Sequence, residues 1–126
     1  MLQTDKTEEF DYEVGENLLA SEMGSGDMRV LATPAMVAMM ENACMRLVAA
    51  DLAEGDTTVG SMINTTHLKP SALGAKICVR ATLTAVEGRK LIYKVVAKDG
   101  DAVIGEAEHI RYVVARERFL SKVYPK

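Results

Sequence analysis

The sequence is poor in the side chains that most often do chemistry. Its 126 residues hold two histidines, His67 and His109, and two cysteines, Cys44 and Cys78, with no tryptophan and two phenylalanines. Neither cysteine sits in a CxxC pair, and His and Cys are too few and too scattered to close a structural zinc site. No apolar run reaches the roughly 18 to 20 residues that cross a bilayer as a helix, so no membrane partner is expected. The strings GxGxxG, GxxxxGK[ST] and GxSxG are absent, which removes the usual signatures of nucleotide loops and serine hydrolases. Basic residues are spread singly with little aromatic interleaving, so nucleic acid is not an expected partner either. The start, MLQTDKTEEFDYEV, is acidic and lacks the basic start and apolar stretch of a secretory signal. Together with the reduced look of the cysteines, this reads as a cytoplasmic protein.

What is present has the proportions of one folded unit. With 48% hydrophobic and 26% charged residues, residues 1–126 are read as a single domain, long enough to bury one core and too short for two. The net charge of −3 conceals an asymmetry. Residues 1 to 58 carry twelve Asp and Glu against three Lys and Arg, whereas residues 59 to 126 carry six against twelve. The basic second half is where a small phosphorylated ligand would be drawn.

Periodicity places the elements. Phe10, Tyr12 and Val14 alternate with Asp11 and Glu13, a short strand ending near Gly15. Residues 16 to 32 include Gly24, Ser25, Gly26 and Asp27, a flexible connection or lid with at most a short helical turn. Thr33 is suited to cap a helix whose first position is Pro34. Apolar residues from Met36 to Ala53 then cover most of a helix of about twenty residues, which belongs in the middle of a domain. Its polar exceptions are Glu41, Asn42, Arg46 and Asp51. Met36, Met39, Met40 and Met45 read as core filler. Beyond residue 57 the period falls to two, giving strands at Val59 to Leu68, Ile77 to Ala85, Leu91 to Ala97 and Ala102 to Ala115, joined mostly by short turns. The expected fold is α+β, an antiparallel meander curled over a central helix.

Three residues carry the chemical candidacy. An unpaired carboxylate at Glu41 is costly in the most apolar helix of the chain, so it lies on a wet stripe or has a partner. Thr33 and Glu41 are eight residues apart, about 12 Å along the axis, and so could flank a ligand without touching. His67 precedes Pro70 at a strand end, where an imidazole reaches solvent and can carry protons near neutral pH. His109, within the last strand, is read as a bystander, and Cys44 as a packing residue.

The run from Gly24 through Thr33-Pro34-Ala35-Met36, the helix with Glu41, the string His67-Leu68-Lys69-Pro70, and the later Val86-Glu87-Gly88-Arg89 and Val103-Ile104-Gly105 resemble the hotdog-fold thioesterases of the fluoroacetyl-CoA thioesterase type. The resemblance spans residues 10 to 123. It implies a hotdog fold, a long helix wrapped by an antiparallel sheet, paired into a homodimer with active sites at the subunit interface. It also implies a catalytic set at Thr33, Glu41 and His67, with Gly60 close to the thioester. In that picture Lys69, Arg89, Arg116 and Arg118 are the residues offered to coenzyme A phosphates, and coenzyme A enters as part of the substrate, with no separate cofactor or metal. Residues 16 to 29 contain no aromatic, where a fluoroacetyl-specialised lid would carry them, so a short or medium acyl-CoA, or a related thioester, is the expected substrate. A non-catalytic acyl-CoA-binding module and an enoyl-thioester hydratase on the same fold are the alternatives.

Overall fold

A computed structural model describes all 126 residues. Strand β1 (Thr7–Glu13) leads through a 3-10 turn (Glu16–Leu18) and a single-turn helix α1 (Ala20–Met23) to the long helix α2 (Thr33–Val48), whose last turn tightens into 3-10 geometry at Ala49–Asp51. Four strands follow, β2 (Asp56–His67), β3 (Lys76–Glu87), β4 (Lys90–Asp99) and β5 (Ala102–Ala115), and the chain closes with α3 (Arg116–Val123). This last helix was not expected. Its signal is Phe119, Leu120 and Val123 at helical spacing in an otherwise polar segment. No helix is long and apolar enough to cross a membrane.

The five strands form one antiparallel sheet in the order β1-β3-β4-β5-β2. Only β3, β4 and β5 make the expected meander. The connection from β2 to β3 is too long for a hairpin and contains Pro70, so β2 is free to pair with β5 at the far side of the sheet instead of with its sequence neighbour. β1 and β2 consequently become the two edges, with α2 running between them in sequence and packing on the inner face.

That inner face is apolar because the strand alternation makes it so. Ile77, Val79, Ala81 and Leu83 of β3 and Leu91, Val95 and Ala97 of β4 are all buried, as are Met36, Met39, Met40, Ala43, Cys44, Leu47 and Val48 of α2. Met45, grouped with the filler on composition, is instead 37% exposed on the outer side of the helix. The polar residues of the helix are tied down nearly one by one. The Tyr12 hydroxyl donates to Asn42 Oδ1 at 2.8 Å. The Arg46 guanidinium lies 4.4 Å above the Phe10 ring, and Lys6 pairs with Asp51 at 2.8 Å. All three bind the helix to β1 or the segment before it.

At the other edge of the sheet, α2 approaches β5 so closely that only glycine fits at residue 105. A Cβ there would stand 2.6 Å from Met36 Sδ and 2.9 Å from the Thr66 carbonyl oxygen. The methionine can move, but the Thr66 backbone cannot without disturbing β2. Gly105→Ala is therefore expected to lower stability by about 1 to 3 kcal/mol, read as a lower urea midpoint with an unchanged denaturant slope.

Candidate active site

Thr33 does not cap its helix. The cap position is Ala32, without a side-chain hydrogen bond, and Pro34 lies within the first turn. The Thr33 hydroxyl has a different use: Oγ1 shares a hydrogen bond of 2.7 Å with His67 Nδ1. His67 is the last residue of β2, and its Nε2 is shielded from solvent with no hydrogen-bond partner. Burial pushes its pKa below the ordinary imidazole value, so the ring is neutral at pH 7.

The pair lines a recess of about 260 Å³, shared with Lys69 and roofed by Ala20, Ser25 and Val30 from the segment before α2. That segment is less free than its glycines suggest. Ala20 N–H donates to Val30 O and Leu31 N–H to Ser71 O, and Arg29 pairs with Glu16 at 2.9 Å. It occupies the position of a lid.

Glu41 belongs to a second cluster. The point where a Cβ on Gly60 would sit is 3.2 Å from Glu41 Oε2, 3.2 Å from His109 Cε1 and 3.4 Å from Arg111 Nη1, so three polar side chains converge on the place that the missing methyl leaves. Glu41 is half-buried, joins none of the ion pairs in the structure and accepts no side-chain hydrogen bond. His109 and Arg111 are buried on the inner face of β5. Neither was singled out as functional from the sequence. The available signal was that inward positions of β5 run Gly105, Ala107, His109, Arg111, Val113, and two polar residues interrupt an otherwise apolar face.

A β-bulge relates the two clusters. Gly60 and His67 are seven residues apart, an odd number that would send them to opposite faces of a regular strand. The register against β5 slips between Gly60 and Met62, so Gly60 opposite Arg111 and His67 opposite Gly105 both face α2. Within one chain they remain about 20 Å apart along the strand. The structure thus joins Thr33 to His67 and Glu41 to Gly60, and leaves the two halves separate.

The basic residues divide likewise. Lys69 lies with Thr33 and His67. Arg89 and Arg118 share a recess of about 230 Å³ with Lys122 and Phe119 at the other end of β2. Arg116 lines the neighbouring recess of about 240 Å³ with Thr57 and Leu120. Arg89 also donates to the Val113 carbonyl at 3.1 Å. Cys44 is sealed in the core, and burial pushes its thiol up to about 12, so it is not a nucleophile.

Both imidazoles have pKa values lowered by burial. They stay neutral in the folded chain while the unfolded chain takes up protons below about pH 6.5, so stability is full above that pH and declines as pH falls toward the folded values. Urea midpoints measured from pH 8 to 5 are expected to fall below pH 6.5. A flat profile would contradict the burial of both rings.

Comparisons with known proteins agree with this architecture. A family model described as fluoroacetyl-CoA-specific thioesterase matches residues 14–117. A fluoroacetyl-CoA thioesterase of Streptantibioticus cattleyicolor is 41% identical over 97 residues, which is 77% of this chain and 70% of that protein. A solved structure of the fluoroacetyl-CoA thioesterase FlK superposes with a TM-score of 0.93 at 32% identity, over 100% of this chain and 98% of that one. A thioesterase-superfamily protein of Thermus thermophilus shares the fold, with a TM-score of 0.88 at 22% identity over 97% of this chain and 90% of the other.

Proposed function

This chain belongs to the fluoroacetyl-CoA-specific thioesterase family and is a thioester hydrolase of hotdog fold, and we propose that it cleaves a short or medium acyl-CoA using Thr33, Glu41 and His67. One observation carries the site. Of the polar residues that interrupt the apolar helix, Asn42, Arg46 and Asp51 each hold it to another element, and Glu41 alone has no structural use.

Hydrolysis of a thioester needs a nucleophile at the carbonyl, a place for the oxyanion and a route for one proton, while the thiolate leaves with little help. Glu41 either attacks the carbonyl to give an anhydride or takes the proton of the attacking water. His67 is neutral, with Nε2 free to receive or return that proton. Thr33 holds the ring through Nδ1. Backbone N–H groups at the start of α2 offer partial positive charge to the oxyanion. Gly60 has no Cβ to crowd the Glu41 carboxylate.

A homodimer completes the site. β2 is a twelve-residue edge strand, and an edge of that length is a standing invitation to pair. Antiparallel pairing of two copies about an axis near Ile63 and Asn64 brings the partner's His67 to the neighbourhood of Gly60 and Glu41, on the same face of the sheet. Lys69 stands beside the Thr33 and His67 recess. With Arg89, Arg116 and Arg118 it is offered to the phosphates of coenzyme A, which enters as part of the substrate and without a further cofactor. The lid segment has no aromatic residue, which supports an unfluorinated acyl group. The protein is placed in the cytoplasm, where acyl-CoA is made and used.

Thiol release from a panel of acetyl- to decanoyl-CoA, measured for wild type, Glu41→Ala and His67→Ala, tests the reading. Turnover by wild type well above both variants is expected. The same background rate for all three on every thioester overturns it.

A further inference from the structure

His109 is the second imidazole of a chain that has only two, and the hydrolysis described above does not use it. It is 1% exposed on the inner face of β5. Its Nδ1 lies 2.7 Å from the Met62 carbonyl oxygen. A carbonyl only accepts, so Nδ1 carries the proton and Nε2 keeps a lone pair. Arg111 Nη1 stands 3.2 Å from that Nε2, and a guanidinium only donates. The two contacts therefore select one tautomer of a neutral ring.

Arg111 is held on two further sides. Its Nε donates to Thr58 Oγ1 at 2.8 Å and its Nη2 to the Thr58 carbonyl at 2.9 Å. Those bonds fix one edge of the fork, and the bond to His109 fixes the Nη1 end, which is the end beside Glu41 and Gly60. Of the five donors of a guanidinium, two remain uncommitted. Met62, whose carbonyl His109 reaches, is the residue at which the register of β2 resumes after the bulge.

We propose that His109 is a positioning residue whose neutral Nδ1–H tautomer, keyed by the Met62 carbonyl, holds the Arg111 guanidinium beside the Glu41 carboxylate. The proposal rests on the reading of Glu41 as the hydrolytic carboxylate. The groups facing the ring are consistent with it. Burial lowers the pKa of His109, the hydrogen bond to the Met62 carbonyl works against that, Arg111 on the same strand lowers it further, and Glu41 on α2 raises it. Tyr93 on β4 faces it with ring centroids 6.0 Å apart. Protonation would remove the lone pair and set two cations against each other, releasing Arg111 from this orientation.

Two substitutions separate the two bonds. Asparagine at 109 retains a donor for Met62 and has no acceptor at the depth of Nε2, whereas glutamine carries an amide oxygen to that depth. We expect His109→Gln to keep kcat within about fivefold of wild type and His109→Asn to lower it by about 30-fold or more, with KM changed less than about threefold. In an Arg111→Lys background, His109→Asn is expected to add less than about threefold, because the two residues act as a unit. Full activity in His109→Asn overturns the proposal, as do losses that multiply in the double variant. Ring 15N shifts of the folded wild type give a reading independent of turnover: a protonated Nδ1 with a bare Nε2 is expected at pH 7, and a protonated Nε2 overturns it. Absence of wild-type turnover on the whole panel would count against the hydrolase site, whereas turnover indifferent to His109→Asn counts against this proposal alone.

Discussion

Glu41→Gln is expected to lower kcat/KM on the preferred acyl-CoA by about a thousandfold or more, within the range that loss of a positioned base or nucleophile produces. The amide has the same size as the carboxylate but can neither attack a carbonyl nor hold the proton of a water. The structural cost is expected to be small. Glu41 is half-buried and supports no ion pair or side-chain hydrogen bond in the chain, so its neutral isostere breaks nothing, and the unfolding free energy should change by less than about 0.5 kcal/mol. Thiol release and urea unfolding on the same preparation measure the two quantities. A loss below tenfold, or a loss explained by unfolding, would return Glu41 to the structural residues of the helix.

Mixing two inactive variants is expected to restore activity. Glu41→Ala leaves the Thr33 and His67 recess intact, and His67→Ala leaves the Glu41 and Gly60 cluster intact, because the two are separate along β2. In a symmetric dimer whose sites each take Glu41 from one copy and His67 from the other, a mixed dimer has one site with both residues and one with neither. After subunit exchange half the dimers are mixed, and the preparation recovers about one quarter of the wild-type rate from parents each reduced by roughly a hundredfold or more. Were both residues drawn from one copy, every site in the mixture would lack one of them, and no recovery would occur. The size of the difference makes the experiment decisive for the shared site.

His109 shows where a sequence reading loses its grip. The scarcity of histidine made both rings visible, and Pro70 and the strand end directed attention to His67. His109 had no such local sign. Its position on the inner face follows from strand alternation, but its neighbours Glu41 and Gly60 are 68 and 49 residues away in the chain, and only the pairing of β2 with β5 and the packing of α2 on that face bring them together. Thr33 is the converse case. Its type and place before Pro34 suit a helix cap, and locally nothing argues otherwise. The hydrogen bond to His67 wins because the β2 terminus arrives beside the helix start.

Local chemistry determined the elements: the alternation of β1 and β3 to β5, the apolar helix beginning at Thr33-Pro34, the turn at Gly88 and the unusual carboxylate at Glu41 all depend on residues close in sequence. The tertiary structure alone decided which edge β2 occupies and that Gly60 and His67 share a face. Strand order is set by the competition of whole strands for partners, and the face by one extra residue in a register slip. Neither leaves a periodic mark in the chain, since a bulge is defined only against the strand it pairs with.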